Sequence, residues 1–232
     1  MTNTDSNKDS GTDSNKDSGT PTIILASASP RRIDLMKNLG LSFEVLPADI
    51  EEITEHAQTP GEIVAELALM KARRTQQILE ERGAGEAGAM STQAASAPYV
   101  ILAADTLVIL DDDILGKPTD RAEAISMLKR MSARSHEVYT GVHVIYKEAA
   151  DKQHDHHEVG ISRVHFRKLS TSEIENYVDS GEPMDKAGAY ALQGIGAFLL
   201  EGIEGCPTNI IGLPLPLTMS LLRRCNISIL GL

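Results

Sequence analysis

The chain has 232 residues, 41% of them hydrophobic and 3% aromatic, and a formal charge of −11. That is enough for a proper core in one large domain or two small ones, while the acidity argues against coating a nucleic-acid polymer and the lack of Trp against a base-stacking platform. No uncharged apolar run reaches membrane-span length, the N-terminus carries no apolar signal core, and the two cysteines form no CxxC pair, so the expected compartment is a reducing cytoplasm.

Residues 4–11 read TDSNKDSG and residues 12–19 repeat the same eight letters. A tract with nothing apolar to bury cannot offset its ordering entropy. The spacing therefore predicts a disordered tail over 1–21 and a domain over 22–232. Ile23–Ala26 reads as a buried strand, Ser29 as an N-cap with Pro30 at the first helical position, and Gly40 as the stop of that helix. Phe43–Leu46 reads as a second strand. Thr59 and Glu62 form a capping box for a helix running to about Arg82, with Ile63, Val64, Leu67 and Met70 on its apolar face. Residues 83–98, rich in Gly, Ala and Ser, read as a flexible loop.

Tyr99–Leu110 is the strongest strand signal, with a turn at Asp111–Asp113 and a return at Ile114–Leu115. Asp120 and Glu123 box a helix to about Met131. Val138–Tyr146 and Val159–Leu169 alternate apolar and polar, as paired half-buried strands do. His154, His156 and His157 fall in the polar stretch between them, without zinc-ligand spacing, and read as a solvated hairpin loop. Ser170 and Glu173 open a short helix ending near Gly181, Phe198–Leu200 reads as a strand, and Leu217–Arg224 as the last helix. Strand and helix alternate in an α/β pattern.

Some stretches carry chemistry. Ser27-Ala28-Ser29-Pro30-Arg31-Arg32 joins a strand to a helix, where free N–H groups, small residues and forked guanidinium donors suit an anion, although plain capping uses the same residues. Asp105, in Ala103-Ala104-Asp105-Thr106, is costly in an apolar strand unless paired, hydrogen-bonded or functional. Lys117, in Leu115-Gly116-Lys117-Pro118, follows the return strand, so a hairpin can bring carboxylate and ammonium together to hold a metal and a phosphate. Alone, Glu51-Glu52 and Lys71 read as solvated charges. In residues 185–194, Gly and Ala permit close backbone approach. There Gln193 sets an amide donor beside an acceptor, which complements the imide edge of thymine or uracil. The plainer reading is a tight turn between strands. Cys206 and Cys225 read as packed thiols. There is no P-loop and no GxGxxG after a strand.

Taken together, Ser27–Arg32, Ala103–Thr106, Leu115–Pro118, His136–Gly141, Asp185–Tyr190 with Gln193-Gly194, and Gly212–Pro214 resemble the Maf family of nucleoside triphosphate pyrophosphatases, from about Ile23 to Leu222. The resemblance implies an α/β fold with an elongated mixed β-sheet flanked by helices and two lobes around a central cleft, similar to inosine triphosphatase. It implies metal-dependent hydrolysis of dTTP and UTP to the monophosphate and pyrophosphate, with Mg or Mn as the divalent cation. On that resemblance Asp105 is the catalytic carboxylate. Ser27, Arg32, Lys71 and Lys117 bind phosphates, as Arg31 also does. Arg31, Thr106 and Gln193 match the dTTP/UTP subgroup, and Glu52 joins Asp105 at the metal. The 83–98 loop is longer than the family needs, and the tail repeat is foreign to it. The expected partner is a nucleoside triphosphate, with no nucleic-acid polymer and no membrane, and a homodimer is among the assemblies the family implies. Two other functions stay open: a nucleotide-binding regulator of cell division, and a pyrophosphatase for a modified or purine nucleotide.

Overall fold

A computed structural model describes residues 20–50, 59–85 and 98–229. The expected tail up to residue 19, Glu51-Glu52 and residues 86–97 of the expected loop lie outside the described residues. The strands are β1 (Thr22–Leu25), β2 (Phe43–Val45), β3 (Tyr99–Leu110), β4 (Asp113–Leu115), β5 (Ser135–Ala149), β6 (Lys152–Phe166) and β7 (Leu200–Glu204). They form one mixed sheet in the order β2-β1-β3-β5-β6-β7, with β4 pairing β3. Helices α1 (Pro30–Asn38), α2 (Pro60–Gly85), α3 (Arg121–Met131), α4 (Thr171–Asp179), α5 (Pro207–Ile211) and α6 (Leu215–Arg223) cover it. The expected mixed sheet, flanking helices and cleft are all present.

The pairing of β3 sets where a site can form. β1 runs parallel to Tyr99–Leu102, and β4 runs antiparallel to Val108–Leu110 along the same edge. Ala103–Leu107 are thus left with a strand partner, β5, on one side only. Side chains alternate across a strand. Ile101 and Ala103 pack with Ala72 of α2, whereas Leu102 and Ala104 pack with Leu35 of α1 and Leu221 of α6. The next pair, Asp105 and Thr106, inherits that alternation at the open edge.

Several expected features differ in detail. The capping box of α2 forms as expected: Thr59 N donates to Glu62 Oε2 at 2.8 Å, and Glu62 N to Thr59 Oγ1 at 3.3 Å. Its buried stripe is Val64, Leu67, Ala68 and Ala72, with Ile63 and Met70 half-buried. At α3, Asp120 caps, but Glu123 reaches back to Thr119 N rather than to Asp120. Ser29 is an N-cap by position, yet its side chain makes no capping bond.

His154, His156 and His157 are not in a hairpin loop. They lie within β6, opposite Tyr146, Val144 and His143. His143 stacks on His157 with ring centroids 5.8 Å apart and Tyr146 on His154 at 6.0 Å, while the side chains of His154 and His157 stay exposed, as a solvated stretch would have them. The Phe198–Leu200 strand is displaced: Ile195–Leu199 form a 3-10 turn, and ladder pairing with β6 begins only at Leu200. Two further 3-10 turns, Glu182–Asp185 and Ala187–Ala189, take the place of a tight strand-to-strand turn at residues 185–194, and α5 had no signal beyond Pro207. Cys225 is buried, and Cys206 is half-buried at the start of α5.

Candidate active site

The open edge of β3 faces a cleft of about 430 Å³. Its cationic lining is Arg31, Arg32, Lys71, Lys117 and Lys186, set against one carboxylate among the described lining residues, Asp105. In an acidic protein this concentrates positive potential in a single concavity.

Adjacent residues on β3 draw cations from opposite faces of the sheet. Asp105, 7% exposed, points to the α2 side, and Lys71 Nζ donates to its Oδ1. No hydrogen bond to Oδ2 is found among the described residues. Thr106 points to the α1 side, where Arg32 Nη2 donates to its Oγ1 at 3.0 Å. Arg32 also donates through Nε to the Gly212 carbonyl at 2.7 Å and through Nη1 to Ser27 Oγ at 3.3 Å. The direction of the next bonds follows from donor counting. Thr140 Oγ1 donates to the Asn209 carbonyl at 3.0 Å, so its single proton is used. The 3.0 Å contact between Thr106 and Thr140 therefore has Thr106 as donor, which leaves the Thr106 oxygen an acceptor aimed at Arg32.

The far wall is the 182–196 segment. Arg31 Nη1 reaches across to Asp185 Oδ2 at 3.1 Å, and Lys186 Nζ donates to Asp185 Oδ1 at 2.5 Å. Tyr190 lines the cleft and meets His136 Nε2 at 2.8 Å. Both rings pack edge-on against Phe166. Burial pushes His136 down to about 4, with a further downward push from His165. Burial likewise pushes the Tyr190 hydroxyl far up. Both groups are therefore neutral at pH 7.

Of the residues expected from sequence, Arg31, Arg32, Lys71, Asp105, Thr106, Lys117 and Gln193 all line the one cleft. Ser27 does not; its hydroxyl accepts from Ser29 N at 3.2 Å and from Arg32. Glu52 lies outside the described residues. Sequence reasoning gave no individual role to Lys186, Thr140 or Gly212, although each lies in a stretch that carries the family resemblance. Lys186 had a signal, a lysine beside Asp185 in a Gly/Ala-rich stretch. Gly212 falls in the Gly212–Pro214 motif, but its part is played by a backbone carbonyl, and which side chain that carbonyl meets leaves no mark in the letters.

Among the described residues no group of three or more His, Cys, Asp or Glu is placed to hold a metal ion. One cleft-lining carboxylate still fits Mg²⁺, which is commonly held by one or two carboxylates together with substrate phosphates and water.

Preorganised guanidinium and ammonium groups around the Asp105 carboxylate suit a small polyanion that is to be attacked by water. Comparison with known proteins agrees on the class. The family model described as Maf-like protein matches residues 22–225, and the chain belongs to the Maf family. It is 41% identical over 207 residues to a dTTP/UTP pyrophosphatase of Desulforamulus reducens, covering 89% of this chain and 98% of that one. It is 43% identical over 202 residues to a dTTP/UTP pyrophosphatase of Symbiobacterium thermophilum, covering 87% and 93%. Among solved structures, a HAM1 protein from Coxiella burnetii matches with a TM-score of 0.39 at 18% identity, covering 65% of this chain and 75% of that one.

Proposed function

We propose that this chain hydrolyses dTTP and UTP to the nucleoside monophosphate and pyrophosphate. The observation that carries the reading is the convergence, in one cleft, of Asp105 with cations from α1, α2, the β4 exit and the 182–196 segment. The names of the relatives support the substrate assignment.

In this reading Arg31, Arg32, Lys117 and Lys186 hold the phosphate chain and stabilise the charge that grows on the departing pyrophosphate. Lys71 fixes the Asp105 carboxylate through Oδ1. Oδ2 then accepts a proton from the water that attacks the α-phosphorus. Asp105 and phosphate oxygens would hold a divalent cation, Mg or Mn, with Glu52 as a further carboxylate. Such an ion polarises phosphoryl oxygens and lowers the pKa of bound water. Ser27 acts behind the cleft by holding Arg32. Thr106 orients the same guanidinium, so it bears on substrate choice through Arg32. Gln193 offers its amide to the base.

The same reading places the protein in the cytoplasm, supported by cysteines that are both free. Among the described residues no helix is long and apolar enough to cross a membrane.

The test is a panel of nucleoside triphosphates with Mg²⁺ or Mn²⁺, scored by pyrophosphate release. Preferential release from dTTP and UTP is expected. Binding without release rejects the enzyme, and preference for a purine or modified nucleotide rejects the substrate assignment.

A further inference from the structure

Gln193 is exposed, and its side chain makes no hydrogen bond among the described residues. Its placement in the cleft therefore comes from the backbone on either side. That backbone is pinned at both ends. Ala191 N donates to the buried Tyr177 hydroxyl at 3.2 Å. Ile195 N donates to Glu182 Oε2 at 2.9 Å, and Gly196 N to Glu182 Oε1 at 2.8 Å. The Tyr177 hydroxyl then donates to Glu182 Oε1 at 2.9 Å, which closes the frame. Between the pins, Gly194 has φ +93 and ψ −152, a conformation essentially restricted to glycine. An added Cβ there would come within 2.5 Å of Glu182 Oε2, so the carboxylate occupies the space that the missing side chain leaves. The Glu182 backbone carbonyl also accepts from Lys186 Nζ at 2.6 Å. One residue thus ties a phosphate-facing lysine to the turn that carries Gln193.

We propose that Glu182 is a positioning residue for base selection: its carboxylate holds the 191–196 turn so that Gln193 meets the pyrimidine edge. This rests on the reading of Gln193 given above. All three partners of the carboxylate are donors, and two of them are immobile backbone N–H groups. A glutamine in its place would turn an NH₂ toward at least one of them, leaving a donor against a donor. Discrimination by hydrogen bonds needs the reading group held to within about 0.5 Å, which an exposed side chain on a loosened turn does not provide. The tyrosine frame gives a milder route to the same loss, because Tyr177→Phe removes the hydroxyl and leaves both backbone bonds to Glu182.

The experiment measures kcat/KM for dTTP and for dCTP in the wild-type protein and in Glu182→Gln, Tyr177→Phe and Gln193→Ala. The expected result is a dTTP-over-dCTP preference that narrows by about 10-fold in Glu182→Gln and by about 2–5-fold in Tyr177→Phe, with the loss falling on dTTP. Should Glu182→Gln fail to fold, Tyr177→Phe decides. Equal losses toward both nucleotides mark a merely structural role and overturn the proposal. So does an intact preference in the Glu182 and Tyr177 variants when Gln193→Ala has lost it, and that result leaves the reading of Gln193 standing. A wild-type protein without the preference, or a Gln193→Ala variant that keeps it, overturns both.

Discussion

Gly141 and Val64 are in backbone contact: a Cβ added at Gly141 would lie 2.2 Å from the Val64 carbonyl oxygen. Gly141 is paired with Asp105 across β5 and β3, so α2 rests on the sheet beside the carboxylate. Lys71 follows Val64 by two helical turns and reaches Asp105 from there. Gly141→Ala must push α2 outward. The expected cost is about 1–3 kcal/mol of stability, as for other overpacked sites. A displacement near 1 Å at the catalytic group is expected to lower kcat by about 100-fold. Thermal unfolding and steady-state kinetics on the same preparation check both. Normal turnover in a folded Gly141→Ala protein would show that the approach of α2 does not set the position of Lys71.

Asp105→Asn keeps the shape of the side chain and removes its capacity to take a proton. Turnover is expected to fall by about 10²–10⁴. Nucleotide binding should persist, since the cations that hold the phosphates are untouched. Calorimetric titration with a non-hydrolysable triphosphate, beside pyrophosphate release, separates the two effects. Retained turnover would remove Asp105 from the role of base.

Much of this site was legible because its residues break local rules. Asp105 is the one charged residue of a largely apolar strand, and Ser27–Arg32 places two arginines at a strand-to-helix junction. Those violations mark function without any coordinates. Helix starts were legible for a different reason: Thr59/Glu62 and Ser170/Glu173 form the local hydrogen bonds their spacing predicts. The open edge of β3 was not legible, because it depends on where β1 and β4 stop along a shared edge, a non-local fact. The β5–β6 hairpin extends past its apolar alternation for a similar reason. Two of its histidines gain ring contacts only once Tyr146 and His143 lie opposite them. Phe198–Leu200 misleads because three apolar residues look like a strand, while the bonds from Ile195 N and Gly196 N to Glu182 bend the chain just before them.

Asp185 bridges Arg31 and Lys186 although its own side chain is 68% exposed. Such a pair contributes only about 0–1 kcal/mol in water and yields readily to a polyanion. Asp185 therefore competes with phosphate for two cleft cations. Asp185→Asn is expected to lower KM for the triphosphate by up to about 5-fold, with kcat changed less. A raised KM would instead mean that the carboxylate holds Arg31 in its productive place.

His136 makes stability depend on pH in a defined window. Burial holds its folded value at about 4 against an ordinary 6.5. Between those values the unfolded chain binds a proton that the folded chain does not, so stability falls as pH drops from 6.5 toward 4 and is fully kept above 6.5. The loss from this one group is on the order of 3 kcal/mol. His136→Phe removes the titrating ring, keeps an aromatic against Phe166, and leaves the buried Tyr190 hydroxyl without its partner at a cost of about 1–3 kcal/mol. The variant should be less stable than wild type at pH 7, and the gap should shrink or close by pH 4.5. Glu173, held down to about 2 chiefly by Arg167 and then by Ser170, loses its own contribution as pH falls from 4.5 toward 2, mostly below this window. Urea unfolding at pH 7.0, 5.5 and 4.5 for both proteins reads the difference directly. A gap that stays constant across the three pH values would show that His136 does not carry the acid sensitivity.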